Sequence, residues 1–333
     1  MRVLFITSNR IGDAVLSTGL LGHLVDTRPD ARFTVACGPL AAPLLRAVPR
    51  LERLIPLAKR PFARHWLALW LACVGTRWDL VVDLRNSAAS RLLASRRLAV
   101  LRRRPGAHKV EEIAAVLGVA PPPAPRLWID AAAAAQAERL LPGGRPFLAL
   151  GPTANGPGKE WPAERFADLA RRLTGPSGPL PGVRVAVLAA GPEAERARPL
   201  LAALGDGAID LVGRTDPLAA AACLTRAALY VGNDSGLMHI AAAVGTPTVG
   251  LFGPGWPEVY GPWGPQARAV VSAEPREALF ARWKAGDGGL MEGVALDAVE
   301  AAARALCRTV QATESARAPH DRLVPSQPSR DPA

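Results

Sequence analysis

Residues 229–254, LYVGNDSGLMHIAAAVGTPTVGLFGP, combine the signals of a strand, a tight loop, a helix and a second strand. The apolar run 229–231 precedes a turn of Gly, Asn, Asp and Ser, which tolerate unusual backbone angles and begin helices. An apolar helix is predicted over 237–244, ended by Gly245 and Pro247, and a buried strand over 248–252. Such a loop leaves backbone N–H groups free at a helix N-terminus, so it predicts an anion-binding site.

The rest of the chain repeats this strand–helix alternation. Continuous apolar runs are typical of parallel strands buried on both faces. They predict strands at residues 2–7, 32–37, 54–57, 80–84, 147–150, 183–189 and 210–212, an edge strand at 127–130, and helices at 13–25, 131–141, 163–173, 194–204 and 218–227. We therefore expect two doubly wound α/β domains, residues 1–142 and 143–310, with a hinge at 142–144.

The end of the chain changes in composition. Residues 297–309 predict a terminal helix, which we expect to pack back on the first domain. Residues 311–333 are polar, contain Pro and Arg and have few apolar side chains, so we expect this tail to be disordered. No run of 18 apolar residues occurs, the N-terminus begins with a strand rather than a leader, and the four cysteines are scattered. A reduced cytoplasmic protein is the expected class.

The positive charge is confined to the first half. The net charge is +11, and residues 1–140 hold 21 Lys or Arg against 10 Asp or Glu, whereas the remainder balances at 19 against 19. The preference for Arg (36, against four Lys) indicates a GC-rich gene, but composition does not explain the asymmetry. An anionic partner of the N-terminal half is expected.

Two stretches of the first half remain open to two interpretations. Residues 59–78 are basic at their start, and the apolar segment 66–74 is either a core helix or a helix at a membrane surface. Residues 91–104 carry six arginines, which form either a solvated helix face or a cradle for phosphates.

Several common motifs are missing from the sequence. There is no GxGxxG fingerprint, no Asp-x-Asp, no histidine pattern typical of a metal site and no nucleic-acid-binding module. Residues 156–160 (GPGKE) resemble a Walker loop but have Glu160 where Ser or Thr must hold Mg²⁺. We therefore expect no metal, no nicotinamide or flavin cofactor and no nucleic-acid partner.

Two parallel-sheet domains, each with a glycine-containing loop, describe the GT-B arrangement of nucleotide-sugar transferases. The motifs at 9–13 (NRIGD) and 233–239 (NDSGLMH) closely resemble glycosyltransferase family 9, the lipopolysaccharide heptosyltransferases. Further matches are 158–162 (GKEWP), 191–193 (GPE) and 252–254 (FGP), and the resemblance covers about residues 1–310. It implies two Rossmann-like domains facing a central cleft and an inverting, metal-independent transfer of a sugar, with heptose from ADP-heptose as the expected donor.

The resemblance also implies roles for individual residues. Asp13 corresponds to the catalytic base, whereas spacing alone favours a helix N-cap at this position. Lys159 corresponds to the phosphate-binding lysine, with a solvated loop lysine as the alternative. Thr153 lies on the same loop, where its hydroxyl is expected to donate to a phosphate oxygen. Glu193 is expected to bind ribose, or else to be a first-turn helix acid, and Thr215 to lie near adenine.

In the stretch 229–254, Asp234 is expected to cap the helix or accept from sugar hydroxyls, since two anions repel each other. The backbone N–H groups of Ser235, Gly236 and Leu237 should face the diphosphate. His239 lies one turn later and is either a ligand-binding residue or a satisfied core histidine.

The remaining expectations concern the acceptor. Asn9 and Gly12 share the Asp13 loop and are assigned to the donor, while the acceptor is assigned to the positively charged side chains of Arg10, Arg60, Arg64 and Arg85. The expected acceptor is an anionic glycolipid at the inner face of the cytoplasmic membrane. Arg10 and the loop 152–155 (PTAN) depart from the family pattern, which leaves open another nucleotide sugar or acceptor, a non-catalytic glycan- or lipid-binding relative, or an epimerase.

Overall fold

The apolar runs of the sequence form two parallel β-sheets in the computed structural model, which describes residues 1–317. The first sheet has the order β3-β2-β1-β4-β5. Its strands are β1 (Arg2–Ile6), β2 (Arg32–Cys37), β3 (Leu51–Pro56), β4 (Leu80–Asp83) and β5 (Leu98–Val100). The second sheet has the order β11-β10-β9-β6-β7-β8. Its strands are β6 (Phe147–Gly151), β7 (Arg184–Val187), β8 (Ile209–Asp210), β9 (Ala227–Asn233), β10 (Thr248–Phe252) and β11 (Ala267–Val271).

Helices connect successive strands and cover the faces of both sheets. They are α1 (Ile11–Thr27), α2 (Ala42–Leu45), α3 (Arg64–Cys73), α4 (Ala88–Arg91), α5 (Lys109–Ala114), α6 (Ala131–Leu140), α7 (Ala163–Thr174), α8 (Ala194–Leu204), α9 (Pro217–Leu224), α10 (Gly236–Ala243), α11 (Pro257–Tyr260), α12 (Arg276–Ala285) and α13 (Leu296–Arg317). The predicted α/β class and the two doubly wound sheets are confirmed. Among the described residues no helix has both the length and the apolar character to cross a membrane.

The strand order places a topological switch point in each sheet. In the first sheet the chain proceeds from β1 outward to β3 and then returns to the other side of β1 with β4. In the second sheet it proceeds from β6 to β8 and returns beside β6 with β9. Open parallel sheets bind ligands at the carboxyl ends of the strands that flank such a point. The loops after β1 and β9, which carry the two family motifs, begin at these positions.

Most predicted elements are confirmed, and the differences lie at sheet edges. Residues 127–130 form no strand. The arginine-rich segment 91–104 is not a helix face, because it contains the edge strand β5, which pairs with β4. The strand β11, at one edge of the second sheet, was also not predicted. Short edge strands lack the long apolar run that identifies a central strand.

The terminal helix differs from the expectation in both length and position. The helix α13 extends to Arg317, beyond the predicted end, and the rest of the predicted tail, 318–333, lies outside the described residues. Instead of packing back on the first half, α13 packs against α7 and the strands β9 to β11. Its buried side chains, Val299, Ala303 and Leu306, belong to the core on that face of the second sheet.

The two halves share one hydrophobic core. A single cluster of buried side chains runs from β1 and α1 through α9 and α10 to β6 and β9. The helix α6, which precedes the predicted hinge, packs against α9 of the second half. The hinge contains Gly143 and Gly144 with φ of 78° and 61°, left-handed values that favour glycine. We propose that the boundary between the two domains lies between residues 142 and 143. The shared core would then be the interface between these domains.

Candidate active site

The two motif-bearing loops meet where the N-termini of α1 and α10 come together. A β-carbon added to Gly12 would lie 2.8 Å from Cδ2 of His239. One added to Gly236 would lie 2.7 Å from Cγ2 of Ile11. Only a residue without a side chain leaves room for this approach, which explains a glycine at the start of each helix. The structure therefore joins two segments that are more than 200 residues apart in the sequence.

Neither helix N-terminus at this junction is capped by a side chain. The N-cap residue is Arg10 for α1 and Ser235 for α10, and neither side chain accepts a hydrogen bond from the helix. The N-cap interpretation of Asp13 is therefore wrong, since Asp13 lies within the first turn of α1. The cap predicted for Asp234 is also wrong. The unbonded N–H groups of the first turns remain available to an anion.

Asp13 is a half-buried carboxylate at the edge of the first sheet. Ser8 donates a hydrogen bond from Oγ to Asp13 Oδ2 over 3.3 Å and also accepts one from the Arg10 N–H at 3.2 Å. The Ser8 hydroxyl therefore orients the carboxylate from the loop that precedes α1. Ser8 was not predicted as a site residue, although its position between β1 and Gly12 was a usable signal.

Lys159 and Asp234 form an ion pair at the carboxyl ends of β6 and β9. The distance from Nζ to Oδ2 is 3.2 Å, and each side chain is about one-fifth exposed (21% and 19%). The ammonium also lies 5.5 Å from the ring centroid of Trp283. The interpretation of Lys159 as a solvated loop lysine is thus wrong. A cation held against a single carboxylate at a strand edge can exchange that partner for a phosphate.

His239 is buried against Gly12 and is neutral near pH 7. Burial lowers the pKa of His239 to about 4, and the nearby carboxylates of Asp234 and Asp13 only partly oppose this effect. Its Nδ1 has no hydrogen-bond partner within residues 1–317. The residue is therefore not the satisfied core histidine of the alternative interpretation, and its ring lies between the two loops with one polar atom unused.

Two further buried hydroxyls lie beneath the loop after β9. Tyr230 Oη and Ser235 Oγ make no hydrogen bond of regular geometry in the described part of the chain, although the two hydroxyls lie near enough for Ser235 to lower the pKa of Tyr230 slightly against the effect of burial. The Tyr230 hydroxyl lies close to the ends of β6 and β9. It would be 2.1 Å from a β-carbon added to Gly151 and 2.3 Å from one added to Gly232. Burial raises the pKa of Tyr230, which remains a neutral phenol. No sequence pattern singles out Tyr230, because an aromatic residue in an apolar strand is ordinary.

Thr153 and Glu193 lie together and form a hydrogen bond with each other. Thr153 is buried and donates from Oγ1 to Glu193 Oε2 over 2.8 Å. Glu193 also accepts from the Ala190 N–H at 3.1 Å and pairs with Arg196 at 3.3 Å. In this arrangement the Thr153 hydroxyl faces a carboxylate, whereas a phosphate was the expected acceptor.

Asn233 ties three loop segments together and was quoted in the motif without a role. It is fully buried, donates from Nδ2 to the Pro152 carbonyl (2.7 Å) and accepts from the Trp161 N–H (3.1 Å). These bonds fix the loop that carries Lys159 against the start of the loop that carries Asp234. An amide can do this because it donates and accepts at the same time.

The other predicted donor residues lie around this centre. The backbone of Asn9 packs closely against Gly38. A β-carbon added to Gly38 would lie 2.4 Å from Asn9 Cα. Leu237 is half-buried in the first turn of α10. Thr215 is half-buried and directly precedes Asp216, whose side chain caps α9 by accepting from the Ala219 N–H.

Three of the four predicted acceptor-binding arginines lie around the start of α3. Arg10, Arg60 and Arg64 are exposed, and Arg60 and Arg64 flank the start of α3. Arg85 is half-buried, with its guanidinium carbon 5.7 Å from the ring centroid of Trp66. Arg10 lies apart from this group in the sequence, at the N-cap of α1.

A separate cavity of about 350 Å³ lies at the edge of the first sheet. Arg97, Arg102 and Arg104 line it together with Glu112, and none of its lining residues belongs to the loops after β1, β6 or β9. The described residues contain no group of three or more His, Cys, Asp or Glu side chains that could hold a metal ion.

The site joins two uncapped helix N-termini at the switch points of two parallel sheets, with Asp13 in the first turn of α1 and the Lys159–Asp234 pair beside the start of α10. The sequence pattern of "Glycosyltransferase family 9 (heptosyltransferase)" matches residues 72–285, almost two-thirds of the chain. The chain belongs to glycosyltransferase family 9.

Relatives of this glycosyltransferase agree with the assignment. It is 25% identical over 319 residues to lipopolysaccharide heptosyltransferase 2 of Salmonella typhimurium, covering 81% of this chain and 88% of that protein. A family 9 glycosyltransferase from Veillonella parvula has a similar fold, with a TM-score of 0.78 at 22% identity, over 92% of this chain and 97% of that one. The E. coli ADP-heptose lps heptosyltransferase II gives a TM-score of 0.74 at 22% identity, over 93% and 100%. The predicted family, GT-B fold and transferase class are confirmed.

Proposed function

We propose that this glycosyltransferase moves heptose from ADP-heptose onto an anionic lipopolysaccharide-core or related glycolipid acceptor, with inversion at the sugar and without a metal ion. The observation that carries the proposal is the junction of α1 and α10, where the carboxylates of Asp13 and Asp234 both lie near enough to His239 to affect its pKa and where Asp234 pairs with Lys159. Sugar transfer needs a base on one side of the reacting carbon and positive charge around the leaving group on the other.

Asp13 acts as the base in this mechanism. Its carboxylate takes the proton of an acceptor hydroxyl while the hydroxyl oxygen forms a bond to the anomeric carbon of the donor. The bond between that carbon and the diphosphate oxygen breaks, and its electron pair leaves with ADP. Attack from the face opposite the leaving group inverts the anomeric centre.

The leaving diphosphate is held by Lys159 and by the first N–H groups of α10. Lys159 exchanges its partner Asp234 for a phosphate oxygen when the donor binds, and Ser235, Gly236 and Leu237 supply backbone donors. Asp234 is then free to accept from sugar hydroxyls. His239 stays neutral and offers its unused ring nitrogen. These groups supply the positive charge and hydrogen bonds that stabilise the departing ADP.

The nucleoside is proposed to bind along the carboxyl ends of β7 and β8. Glu193, already held by Thr153 and Ala190, accepts from the ribose hydroxyls, and Thr215 lies beside the adenine. ADP-heptose is proposed as the donor because it is named for the E. coli enzyme of similar fold and because the family motifs fall on these loops. A family relative with another nucleotide sugar is the second candidate, since the loop 152–155 departs from the family pattern.

The acceptor is proposed to reach Asp13 from the first half of the molecule, at the inner face of the cytoplasmic membrane. The excess charge of that half suits a phosphorylated or acidic-sugar glycolipid, and Arg10, Arg60, Arg64 and Arg85 are the proposed contacts. The lipopolysaccharide relative supports this substrate class.

A thermal-shift panel with ADP-heptose, UDP-glucose and GDP-mannose, followed by a transfer assay on a deacylated lipopolysaccharide core, tests the proposal. We expect a rise in melting temperature with ADP-heptose alone, and product formation with that donor. A shift with UDP- or GDP-sugar instead would select the second candidate. No shift with any donor would indicate a non-catalytic binding relative.

A further inference from the structure

The helix α3 presents apolar side chains to solvent as well as to the core. Leu69 and Cys73 are buried in the cluster beneath the first sheet, with Trp66 and Trp70 packed partly against it. On the opposite side, Leu67 and Leu71 are 56% and 62% exposed. A helix at the surface of a soluble protein ordinarily turns polar residues outward, so α3 departs from the usual amphipathic pattern.

The segment before α3 extends this apolar face. Phe62 is 98% exposed, and both Phe62 and Ala63 have left-handed backbone angles, with φ of 52° and 55°. Residues with side chains rarely adopt this conformation. The phenyl ring is therefore exposed in the turn directly before the N-terminal end of α3.

Positive charges surround these side chains. Lys59, Arg60 and Arg64 are exposed beside Phe62, and no Asp or Glu occurs between Glu52 and Asp79. The sequence thus presents aromatic and aliphatic side chains within a purely basic border. Anionic lipid surfaces are recognised by this combination, because the apolar groups enter the headgroup boundary while the cations meet the lipid phosphates.

We propose that Phe62, Leu67 and Leu71, bordered by Lys59, Arg60 and Arg64, form the surface by which this protein binds an anionic bilayer. We name these six residues the α3 membrane face. The inference rests on the proposed function and deepens it, since it names the part of the molecule that would bring the active site to a lipid-anchored acceptor. It also unites the two interpretations of residues 66–74, because one side of the helix belongs to the core and the other to the membrane.

Co-sedimentation with large unilamellar vesicles tests the proposal on the full chain. We expect partition onto phosphatidylglycerol–phosphatidylcholine vesicles, little onto pure phosphatidylcholine, and weakening as salt is raised, because headgroup attraction is screened beyond about 10 Å at 0.1 M ionic strength. The double variant Phe62→Ser/Leu67→Ser should lower the partition coefficient at least about tenfold. Arg64→Gln should lower it about fivefold, since a cation near such a surface contributes about that factor.

Matched substitutions in the second half serve as controls. Val271→Ser removes another exposed apolar side chain, and Arg184→Gln another exposed cation, and both should bind vesicles like the original protein. The melting temperature of each variant, compared with that of the original protein, checks that the variant is folded. Equal binding by Phe62→Ser/Leu67→Ser and the original protein would overturn the proposal, as would no binding to anionic vesicles.

Two further measurements separate the possible failures. The ADP-heptose thermal shift of Phe62→Ser/Leu67→Ser should match that of the original protein, so vesicle binding can fail while the proposed donor site stands. Sedimentation velocity tests the competing occupant, a second copy of the chain. Self-association that the double variant abolishes, without vesicle binding by the original protein, would show a protein interface instead and would overturn the membrane assignment.

Discussion

At the scale of single residues, Gly12 marks the closest approach of the two halves. Because a β-carbon there would lie 2.8 Å from the buried ring of His239, Gly12→Ala should push α1 away from α10. We expect a loss of about 1–3 kcal/mol in the free energy of unfolding. A displacement of the base by about 1 Å can lower kcat by about a hundredfold.

Chemical denaturation and steady-state kinetics check this prediction. Gly75→Ala is the matched control, because nothing lies within 4 Å of a β-carbon added there. An unchanged stability and kcat for Gly12→Ala would show that the two helices do not meet as described.

Tyr230 makes an opposite prediction, because its buried hydroxyl has only Ser235 Oγ nearby and makes no hydrogen bond of regular geometry with it. An unsatisfied buried hydroxyl is unfavourable, so Tyr230→Phe should raise the free energy of unfolding of the ligand-free protein by about 1 kcal/mol. Urea denaturation measures this, with Tyr260→Phe as the control. A loss of stability in Tyr230→Phe would mean that the hydroxyl is bonded in solution.

At the scale of elements, the packing of α10 on α1 makes stability depend on pH through His239. Burial lowers the pKa of His239 to about 4, below the ordinary value of about 6.5. Between these values the unfolded chain binds a proton that the folded chain does not, so stability is lost as the pH falls. At its full extent the loss is on the order of 3 kcal/mol.

Melting temperatures between pH 7 and pH 4 should therefore fall less steeply for His239→Gln than for the original protein. His23 lies near the other end of α1, and His23→Gln should keep the original dependence of melting temperature on pH. Identical slopes for His239→Gln and the original protein would show that His239 is not buried in its neutral form.

The central strands and the helices between them could be predicted from sequence, whereas the edges could not. Strand β2 and helix α8 have the predicted bounds, because long apolar runs and helix start signals are local properties. The strand β5 is three residues long and lies among arginines, so no local pattern distinguishes it from a loop. Residues 127–130 have the apolar pattern of a strand, but they pair with none of the described strands and so form no strand themselves.

The active site was predictable as a set of loops and only partly as a set of contacts. Sequence motifs placed Asp13, Lys159 and Asp234 at strand ends, and the sheet topology brings those ends together. The pairing of Lys159 with Asp234, and of Thr153 with Glu193, depends on side-chain directions across different strands. Such long-range pairs leave no trace in the local sequence, and neither does the role of Asn233.

At the scale of the whole molecule, Arg46 links the two halves. Its guanidinium pairs with Asp130 at 2.7 Å and with Asp216 at 2.6 Å, the N-caps of α6 and α9. These side chains are about one-third exposed, so solvent screening limits their contribution to stability.

We expect Arg46→Met to lower the free energy of unfolding by less than about 1 kcal/mol and to speed amide exchange at the start of α9. Hydrogen exchange with mass spectrometry measures the effect, and Arg32→Met, which breaks the exposed pair with Glu52, is the control. Unchanged exchange in Arg46→Met would show that the shared core alone joins the halves.

The central claim is that Asp13, held beside the free N-terminus of α10, removes the acceptor proton. Single-turnover transfer from ADP-heptose by Asp13→Asn tests it most directly, with Asp26→Asn on the same helix as the control. We predict a rate about 10²- to 10⁴-fold lower for Asp13→Asn, with the ADP-heptose thermal shift retained. Transfer at the original rate by folded Asp13→Asn would contradict the claim.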